Sequence, residues 1–233
     1  MDDMKIREDT EAHTGLLLST ARSLLDAGLD LLFPPRCAGC GRVDTVWCER
    51  CQADINAIPY RNEVSTIEPL TASAATGVHE GKLQEAVQAL KYENARALSV
   101  PLGQRLSACL AQLEWTIDMI VPVPLHMSRL KERGYNQAQV LGAFVAAQHN
   151  VAFVPDAIVR WRSTNSQVGL TRDQRQSNVA GAFTGKSERV SHRTILLIDD
   201  VFTTGSTLKA CAQAALDAGA SAVYSLTVTV ARK

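Results

Sequence analysis

The amino-acid sequence predicts an α/β fold, in which a mostly parallel sheet is flanked by helices and a small cysteine-rich domain comes first. Strand and helix patterns alternate over the second part of the chain, which is typical of parallel strands joined by helices. Ile195–Ile198 is a run of four aliphatic residues, as expected of a strand covered on both faces. Two Cys-x-x-Cys pairs, at 37–40 and 48–51, indicate a separate cysteine-rich unit.

The domain boundary is placed from apolar spacing and from a polar stretch. A helical pattern begins at Thr14 and must end before Pro34 and Pro35, because proline cannot continue a helix. The polar stretch 61–69 is typical of a linker. We therefore expect residues 1–60 to form an N-terminal helix with the cysteine domain, and residues 61–233 to form the α/β domain.

The α/β domain is expected to contain four strands and at least four helices. The apolar spacing predicts helices after Gly81 and over 98–110, 138–147 and 207–218, and strands over 119–124, 157–161, 193–198 and 222–230. Pro122 and Pro124 cannot donate to a sheet, so they should keep strand 119–124 away from its centre.

The balance of charge limits the kinds of partner. The 24 Lys and Arg residues equal the 24 Asp and Glu residues in number, so any contact with nucleic acid must be local. The acidic start is unlike a secretory signal, and no apolar stretch approaches the ~20 residues that span a bilayer. We expect a cytoplasmic protein without a membrane partner.

The end of strand 193–198 carries a candidate anion site. Asp199 and Asp200 lie where the strand ends, at the edge of an α/β sheet where ligands bind. Small and hydroxyl residues then open a helix whose N-terminal N–H groups attract phosphate: Thr203, Thr204, Gly205, Ser206 and Thr207. The acids would repel a phosphate, so we assign them to adjacent ribose hydroxyls. A plain helix cap beside two solvated acids is the alternative.

Two further segments are rich in arginine. Arg129 and Arg133 follow strand 119–124, and their paired donors suit an anion, although a solvated basic loop is the alternative. The polar segment 160–175 carries Arg162 and Arg175 and has the length of a loop that is functional or disordered. For Trp161 we favour a place in the core over stacking on a base.

The cysteine pairs suit a single metal ion. Four thiolates in two short hooks match tetrahedral Zn²⁺, and a shell closed in this way is structural: Cys37, Cys40, Cys48 and Cys51. An iron–sulfur cluster and cysteines without metal are the alternatives. Cys109 and Cys211 are expected to be buried apolar residues, and we expect no catalytic role for His126.

These motifs together are similar to the ComF family of competence-protein-F or amidophosphoribosyltransferase-like proteins. The similarity rests on Ile195–Thr207, Val121–Pro124, Arg133–Gln137 and the upstream cysteines. It implies a type I phosphoribosyltransferase fold that holds phosphoribosyl pyrophosphate with Mg²⁺. It also implies that the loop at 203–207 takes the 5′-phosphate and that Asp199, Asp200 and Arg133 lie at the reacting centre. In such proteins the loop after the first strand grips pyrophosphate, which implies this role for Arg129 and Arg133. The resemblance further implies that Arg162 and Arg175 belong to a lid that closes over the substrate and stabilises the departing pyrophosphate.

The resemblance implies a role in DNA uptake, natural competence or the use of DNA as a nutrient, with proteins of the uptake machinery as partners. Three hypotheses stay open. The chain is a phosphoribosyltransferase of unidentified acceptor, or a non-catalytic module that binds single-stranded DNA, or a sensor of phosphoribosyl pyrophosphate. The sequence contains no obvious general base.

Overall fold

A computed structural model describes residues 34–61, 64–92, 95–161 and 181–232. The chain divides into two compact units between Cys48 and Glu49, which is earlier than the boundary predicted after residue 60. Helix Glu49–Ala57 belongs to the second unit because Ile55 is buried there and its carbonyl accepts a hydrogen bond from Arg105. The N-terminal helix predicted from Thr14 lies outside the described residues.

The described part of the first unit, 34–48, is a short hook. Arg36 and Val43 form an antiparallel bridge, and the amide of Cys37 donates to the carbonyl of Arg42 at 2.7 Å. The chain reverses at Gly41, whose φ of 76° is a conformation that favours glycine. This turn brings the first Cys-x-x-Cys pair back toward Cys48.

The second unit alternates helices and strands, as the sequence predicts. Its described helices are α1 (Glu49–Ala57), α2 (Gly81–Tyr92), α3 (Ser99–Leu110), α4 (Met127–Arg133), α5 (Gln137–His149), α6 (Ser187–Val190) and α7 (Ser206–Asp217). Its described strands are β1 (Ser65–Ile67), β2 (Leu70–Val78), β3 (Met119–Pro122), β4 (Ala152–Phe153), β5 (Ile158–Arg160), β6 (Phe183–Gly185), β7 (Thr194–Phe202) and β8 (Ala222–Val230).

The main sheet has the strand order β1-β2-β8-β7-β3-β4 and is parallel except for β1. Strands β5 and β6 form a separate antiparallel pair. From β3 the chain continues to β4 on one side, whereas from β7 it continues to β8 on the other. The direction in which the chain adds strands to the sheet therefore reverses between β3 and β7. In open α/β sheets, ligands bind at such a point.

Helices cover both faces of this sheet. On β7, Leu197 belongs to the cluster that includes Leu208 and Cys211 of α7, whereas Ile198 faces Gly142 of α5. Because successive strand residues point to opposite faces, α7 and α5 lie on opposite sides. The predicted fold class, a mostly parallel sheet flanked by helices, is confirmed. Among the described helices, none has the length and apolar character needed to cross a membrane.

Two expectations about strands were wrong. Pro122 lies in an interior strand, because β3 pairs with β7 on one side and with β4 on the other. The missing N–H is tolerated because β4 pairs only with Met119 and Ile120, so Pro122 faces no partner on that side. The predicted linker 61–69 contains strand β1, which is antiparallel to β2.

Candidate functional site

A cavity of about 460 Å³ opens at the carboxyl ends of β3 and β7. This volume is in the range of small-molecule sites, about 300–1,000 Å³. The lining residues come from the end of α2, the β3–α4 loop with α4, the start of α5, the end of β5, and the end of β7 with the β7–α7 loop. The polar and charged ones include Lys91, Tyr92, Arg129, Arg133, Gln137, Arg160, Asp199, Asp200, Thr203, Ser206 and Thr207, together with Gly205. Two acids thus lie in a cavity whose other charged side chains are mostly cations, and which also has apolar residues in its wall.

The acid pair lies at the end of β7, where the strand leaves the core. Asp200 is only 4% exposed, and its backbone carbonyl lies 3.4 Å from the hydroxyl of Thr229 on β8. The amide of Asp200 donates to Asp199 Oδ1 at 2.8 Å, which fixes the first carboxylate against the backbone. Asp200 Oδ2 is buried and has no hydrogen-bond partner among the described residues.

The electrostatics of the pair favour protonation of Asp199. Burial, followed by the nearby charge of Asp200, raises the pKa of Asp199 to about 7. Lys91 and Arg133 oppose this increase in the pKa of Asp199. Lys91 Nζ lies 3.0 Å from Asp200 Oδ1, so the cavity already contains one positive charge beside its acids. A cation or a set of hydroxyl donors would be bound favourably here.

The loop between β7 and α7 turns tightly at Gly205. Its φ is 75°, and an added Cβ would collide with the ring of Phe202, so the position requires glycine. Gly205 is the N-cap of α7 and offers no side chain to the first-turn N–H groups. A twelve-residue helix therefore presents its positive end to the cavity.

The hydroxyls of this loop do not all face the cavity. Thr203, Ser206 and Thr207 line it, together with Gly205. Thr204 instead lies within the loop, where its Oγ1 is 2.7 Å from the hydroxyl of Ser206. That contact holds the loop in shape before any ligand arrives.

The basic loop predicted after β3 contains helix α4. Arg129 and Arg133 of this helix line the cavity, and Arg133 donates to Gln137 at 3.0 Å and lies over the ring of Tyr92. His126 is the N-cap of α4, and its Nδ1 accepts from the amide of Ser128. This contact gives His126 a structural role.

The structure brings most of the predicted cavity residues together, and it adds others. Arg162 and Arg175 lie outside the described residues. Lys91, Gln137 and Arg160 also line the cavity, but the sequence analysis did not identify them. Arg160 ends β5 and lies over the ring of Phe183 on β6. The expected core position of Trp161 was wrong, because its side chain is 64% exposed.

The cysteine cluster is the second candidate site. The sulfur atoms of Cys37, Cys40, Cys48 and Cys51 all lie within 4.8 Å of one another. The Sγ atoms of Cys40 and Cys48 are 3.6 Å apart, close to the ~3.8 Å that a tetrahedral ion with Zn–S bonds of about 2.3 Å requires. The amide of Cys48 donates to Cys37 Sγ at 3.4 Å, a contact that favours a thiolate. The four residues fit a structural metal ion, which supports the predicted ligand set.

The purified protein should contain about one zinc ion per chain, because four thiolates close the shell of one tetrahedral ion. Elemental analysis of protein prepared without chelator measures this directly. Cys51→Ser should lower the zinc content and the melting temperature, whereas Cys109→Ser, a cysteine buried in α3, should leave the zinc content unchanged. Iron with visible absorption, or a folded chain without metal, would contradict the assignment.

Known proteins similar to this chain were found by sequence and by structure, although no protein-family model matches it. Competence protein F of Haemophilus influenzae is 28% identical over 182 residues, which are 75% of this chain and 75% of that protein. DNA utilization protein YhgH of Escherichia coli strain K12 is 27% identical over 194 residues, 80% of this chain and 85% of that protein. A solved glutamine phosphoribosylpyrophosphate amidotransferase from B. subtilis, complexed with ADP and GMP, covers 53% of this chain at 15% identity and a TM-score of 0.37, and the match spans 24% of that enzyme.

The mostly parallel sheet, the β7–α7 loop at its carboxyl edge and the cysteine cluster define an α/β protein with a candidate metal site near its N-terminus. The chain is a homologue of competence protein F and of DNA utilization protein YhgH. The resemblance to the ComF family is thereby confirmed.

Proposed function

We propose that the chain binds phosphoribosyl pyrophosphate with Mg²⁺ in the cavity and transfers its phosphoribosyl group, in the service of DNA uptake or DNA utilisation. The observation that carries this proposal is the juxtaposition of an acid pair and an uncapped helix N-terminus in one cavity. The acids suit ribose hydroxyls, and the helix end suits a phosphate. A sugar phosphate contains both hydroxyls and a phosphate in one molecule.

The loop Thr203–Thr207 would hold the 5′-phosphate. Its glycine allows the backbone to come close, and its hydroxyls at 203, 206 and 207 add donors. Asp199 and Asp200 would accept hydrogen bonds from the 2′- and 3′-hydroxyls. Arg129 and Arg133 approach the cavity from α4, so they would contact the pyrophosphate with paired donors. Arg162 and Arg175 remain proposed members of a lid over the same group.

The cavity fits a divalent cation. Asp200 Oδ2 is a buried carboxylate oxygen without a hydrogen-bond partner among the described residues, and hard cations such as Mg²⁺ prefer oxygen ligands. When bound, Mg²⁺ would neutralise charge on the pyrophosphate and the ribose oxygens. The chain's own residues would orient the sugar, hold the leaving group and exclude water. Asp199, Asp200 and Arg133 are the residues we propose at the reacting centre.

Product analysis tests the proposed transfer. The purified protein is incubated with phosphoribosyl pyrophosphate, Mg²⁺ and a panel of acceptors: nucleobases, ammonia and single-stranded DNA. Release of pyrophosphate that depends on one acceptor, together with a phosphoribosylated product, would identify the reaction. Tight binding without turnover on any acceptor would favour the alternative, a sensor of phosphoribosyl pyrophosphate.

A second candidate function, binding of single-stranded DNA, is favoured by two exposed aromatic residues, one that lines the cavity and one that follows a lining arginine in the chain. Trp161 and Tyr92 are 64% and 62% exposed, and basic side chains adjoin both, Arg160 in the same strand segment and Arg133 over the Tyr92 ring. Exposed aromatic rings beside cations are the pattern on which unpaired bases stack. Tyr135, the other candidate in the sequence, is buried and donates its hydroxyl to the carbonyl of Leu90.

Single-stranded DNA and phosphoribosyl pyrophosphate should compete, because Arg129 and Arg133 would contact phosphates of both. DNA affinity should fall with salt at a log–log slope of about −0.7 per phosphate neutralised. Trp161→Ala should weaken DNA binding by roughly 5- to 150-fold, the loss expected of one stacked base, and should leave the sugar phosphate bound. Fluorescence titrations of a labelled oligonucleotide, with and without saturating sugar phosphate, measure both effects.

Val159→Ala is the matched control for that experiment, since Val159 lies in the same strand and is also exposed. DNA affinity that is unchanged by saturating sugar phosphate would show that the two sites are separate. The exposed arginines of the cysteine region, Arg36, Arg42 and Arg50, would then become the leading DNA surface.

A further inference from the structure

Lys91 is the one residue of the cavity that forms an ion pair with the acid pair among the described residues. Its Nζ lies 3.0 Å from Asp200 Oδ1, and the two side chains are 19% and 6% exposed. An ion pair this deeply placed is costly to form, because both charges lose their water. The cavity nevertheless keeps a lysine where a ligand's hydroxyls or a cation would otherwise contact Asp200.

The backbone that carries Lys91 is held firmly, whereas the side chain is long. Helix α2 buries Leu83, Val87 and Leu90 completely or almost so, which fixes its position against the core. Lys91 is the next-to-last residue of this helix, and its ammonium group sits on a flexible four-carbon stem. The group can therefore exchange one partner for another without movement of the helix.

The surrounding charges define what that second partner would be. Arg129, Arg133 and Arg160 also line the cavity, so its cations outnumber its two acids. When sugar hydroxyls or a divalent cation engage Asp199 and Asp200, the ammonium group of Lys91 loses its place. The helix N-terminus and the arginines of α4 mark the cavity as a site for anionic groups, and the released ammonium would gain from such a group.

We propose that Lys91 is the built-in counter-ion of the acid pair, which holds Asp200 before a ligand binds and moves to an anionic group of the ligand on binding. The inference rests on the proposed function, because phosphoribosyl pyrophosphate provides both the hydroxyls and the anion. It predicts that Lys91 competes with divalent cations when no sugar is present. It also predicts that Lys91 supports binding when the sugar phosphate is present.

The test compares Lys91→Met with Lys82→Met, which alters the other lysine of α2, a partly exposed residue paired with Glu85. Binding of Mn²⁺ alone is followed by electron paramagnetic resonance at pH 8, which is above the pKa of about 7 of Asp199. Lys91→Met should bind Mn²⁺ at least about tenfold more tightly than the unaltered chain, because a competing positive charge is gone. The triple change that adds Asp199→Asn and Asp200→Asn should remove that gain.

The second arm measures calorimetric binding of phosphoribosyl pyrophosphate with saturating Mg²⁺. Lys91→Met should weaken it by about tenfold or more, the loss of one contact to a charged group, and Lys91→Arg should restore part of it. Unchanged Mn²⁺ affinity in Lys91→Met, or an equal change in Lys82→Met, would overturn the proposal. If the unaltered chain binds no phosphoribosyl pyrophosphate, the proposed function is wrong, and so is the proposed movement of Lys91 to an anionic group of that ligand. The Mn²⁺ measurement still decides whether Lys91 is the counter-ion of the acid pair. Circular dichroism confirms that each variant is folded.

Discussion

Replacing both cavity acids, Asp199→Asn with Asp200→Asn, should abolish the rise in melting temperature that phosphoribosyl pyrophosphate and Mg²⁺ cause in the unaltered chain. A ligand that binds only the folded state stabilises it by about 2.7 kcal/mol at a concentration of 100 Kd, so the initial shift is measurable. Asparagine keeps the size of the side chain and the acceptor that receives the Asp200 amide. It removes the negative charge that ribose hydroxyls and Mg²⁺ would engage.

A matched control is Asp217→Asn, which alters an exposed acid at the other end of α7. It should retain the full thermal shift. The melting temperatures without ligand show whether either variant is destabilised on its own. An undiminished shift in the double variant would place the sugar elsewhere on the chain.

The elements that the sequence predicted well are those whose burial depends on large apolar side chains. Strand β7 contains four consecutive aliphatic residues, all buried, and β8 spans the predicted 222–230. Helix α7 follows a glycine that its turn requires. For these elements local pattern and tertiary environment agree, so the sequence alone was sufficient.

Strand β2 was missed because its buried residues are small or polar. Leu70–Val78 contains alanine, serine, threonine and glycine, which give no strong apolar alternation. Burial of Ser73 is tolerated because its hydroxyl lies 2.8 Å from that of Ser225 on β8. Burial of Thr76 is tolerated because its hydroxyl donates to the carbonyl of Val228. These partners lie about 150 residues away along the chain, so no local window could reveal them.

The residues of the candidate site divide in the same way, into those that the local sequence predicted and those that it missed. The acid pair and the loop at 203–207 are contiguous in sequence, so one string was enough to nominate them. Lys91 and Arg160 come from a helix and a strand far from that string, and only the folded chain brings them to the same cavity. Trp161 was misplaced because its burial depended on the partners of β5. Among the described residues that strand pairs with β6 alone, and the side chain of Trp161 is exposed.

Behind the cavity, a buried arginine holds β2 in place. Arg105 of α3 is 3% exposed and lies over the ring of Tyr60 at 4.3 Å. Its guanidinium donates at 2.9–3.2 Å to the hydroxyl and carbonyl of Thr76 and to the carbonyls of Ile55 and Pro59. No carboxylate of the described ranges forms an ion pair with it, so backbone carbonyls, the Thr76 hydroxyl and the Tyr60 ring face stabilise its buried charge.

Arg105→Met should therefore destabilise the protein by about 3 kcal/mol, since charge-assisted hydrogen bonds are lost while methionine fills much of the space. For a chain of this size that corresponds to a drop in melting temperature of roughly 6–12 °C, measured by calorimetry. Gln104→Met, at the exposed neighbouring position of α3, should change stability by less than about 0.5 kcal/mol. Arg105→Lys should also be destabilising. The planar guanidinium donates to carbonyls on three segments at once, and the compact ammonium group of lysine cannot do so. Equal stability of Arg105→Met and Gln104→Met would mean that the network contributes nothing net, and that packing of small residues alone holds β2 and the end of α1.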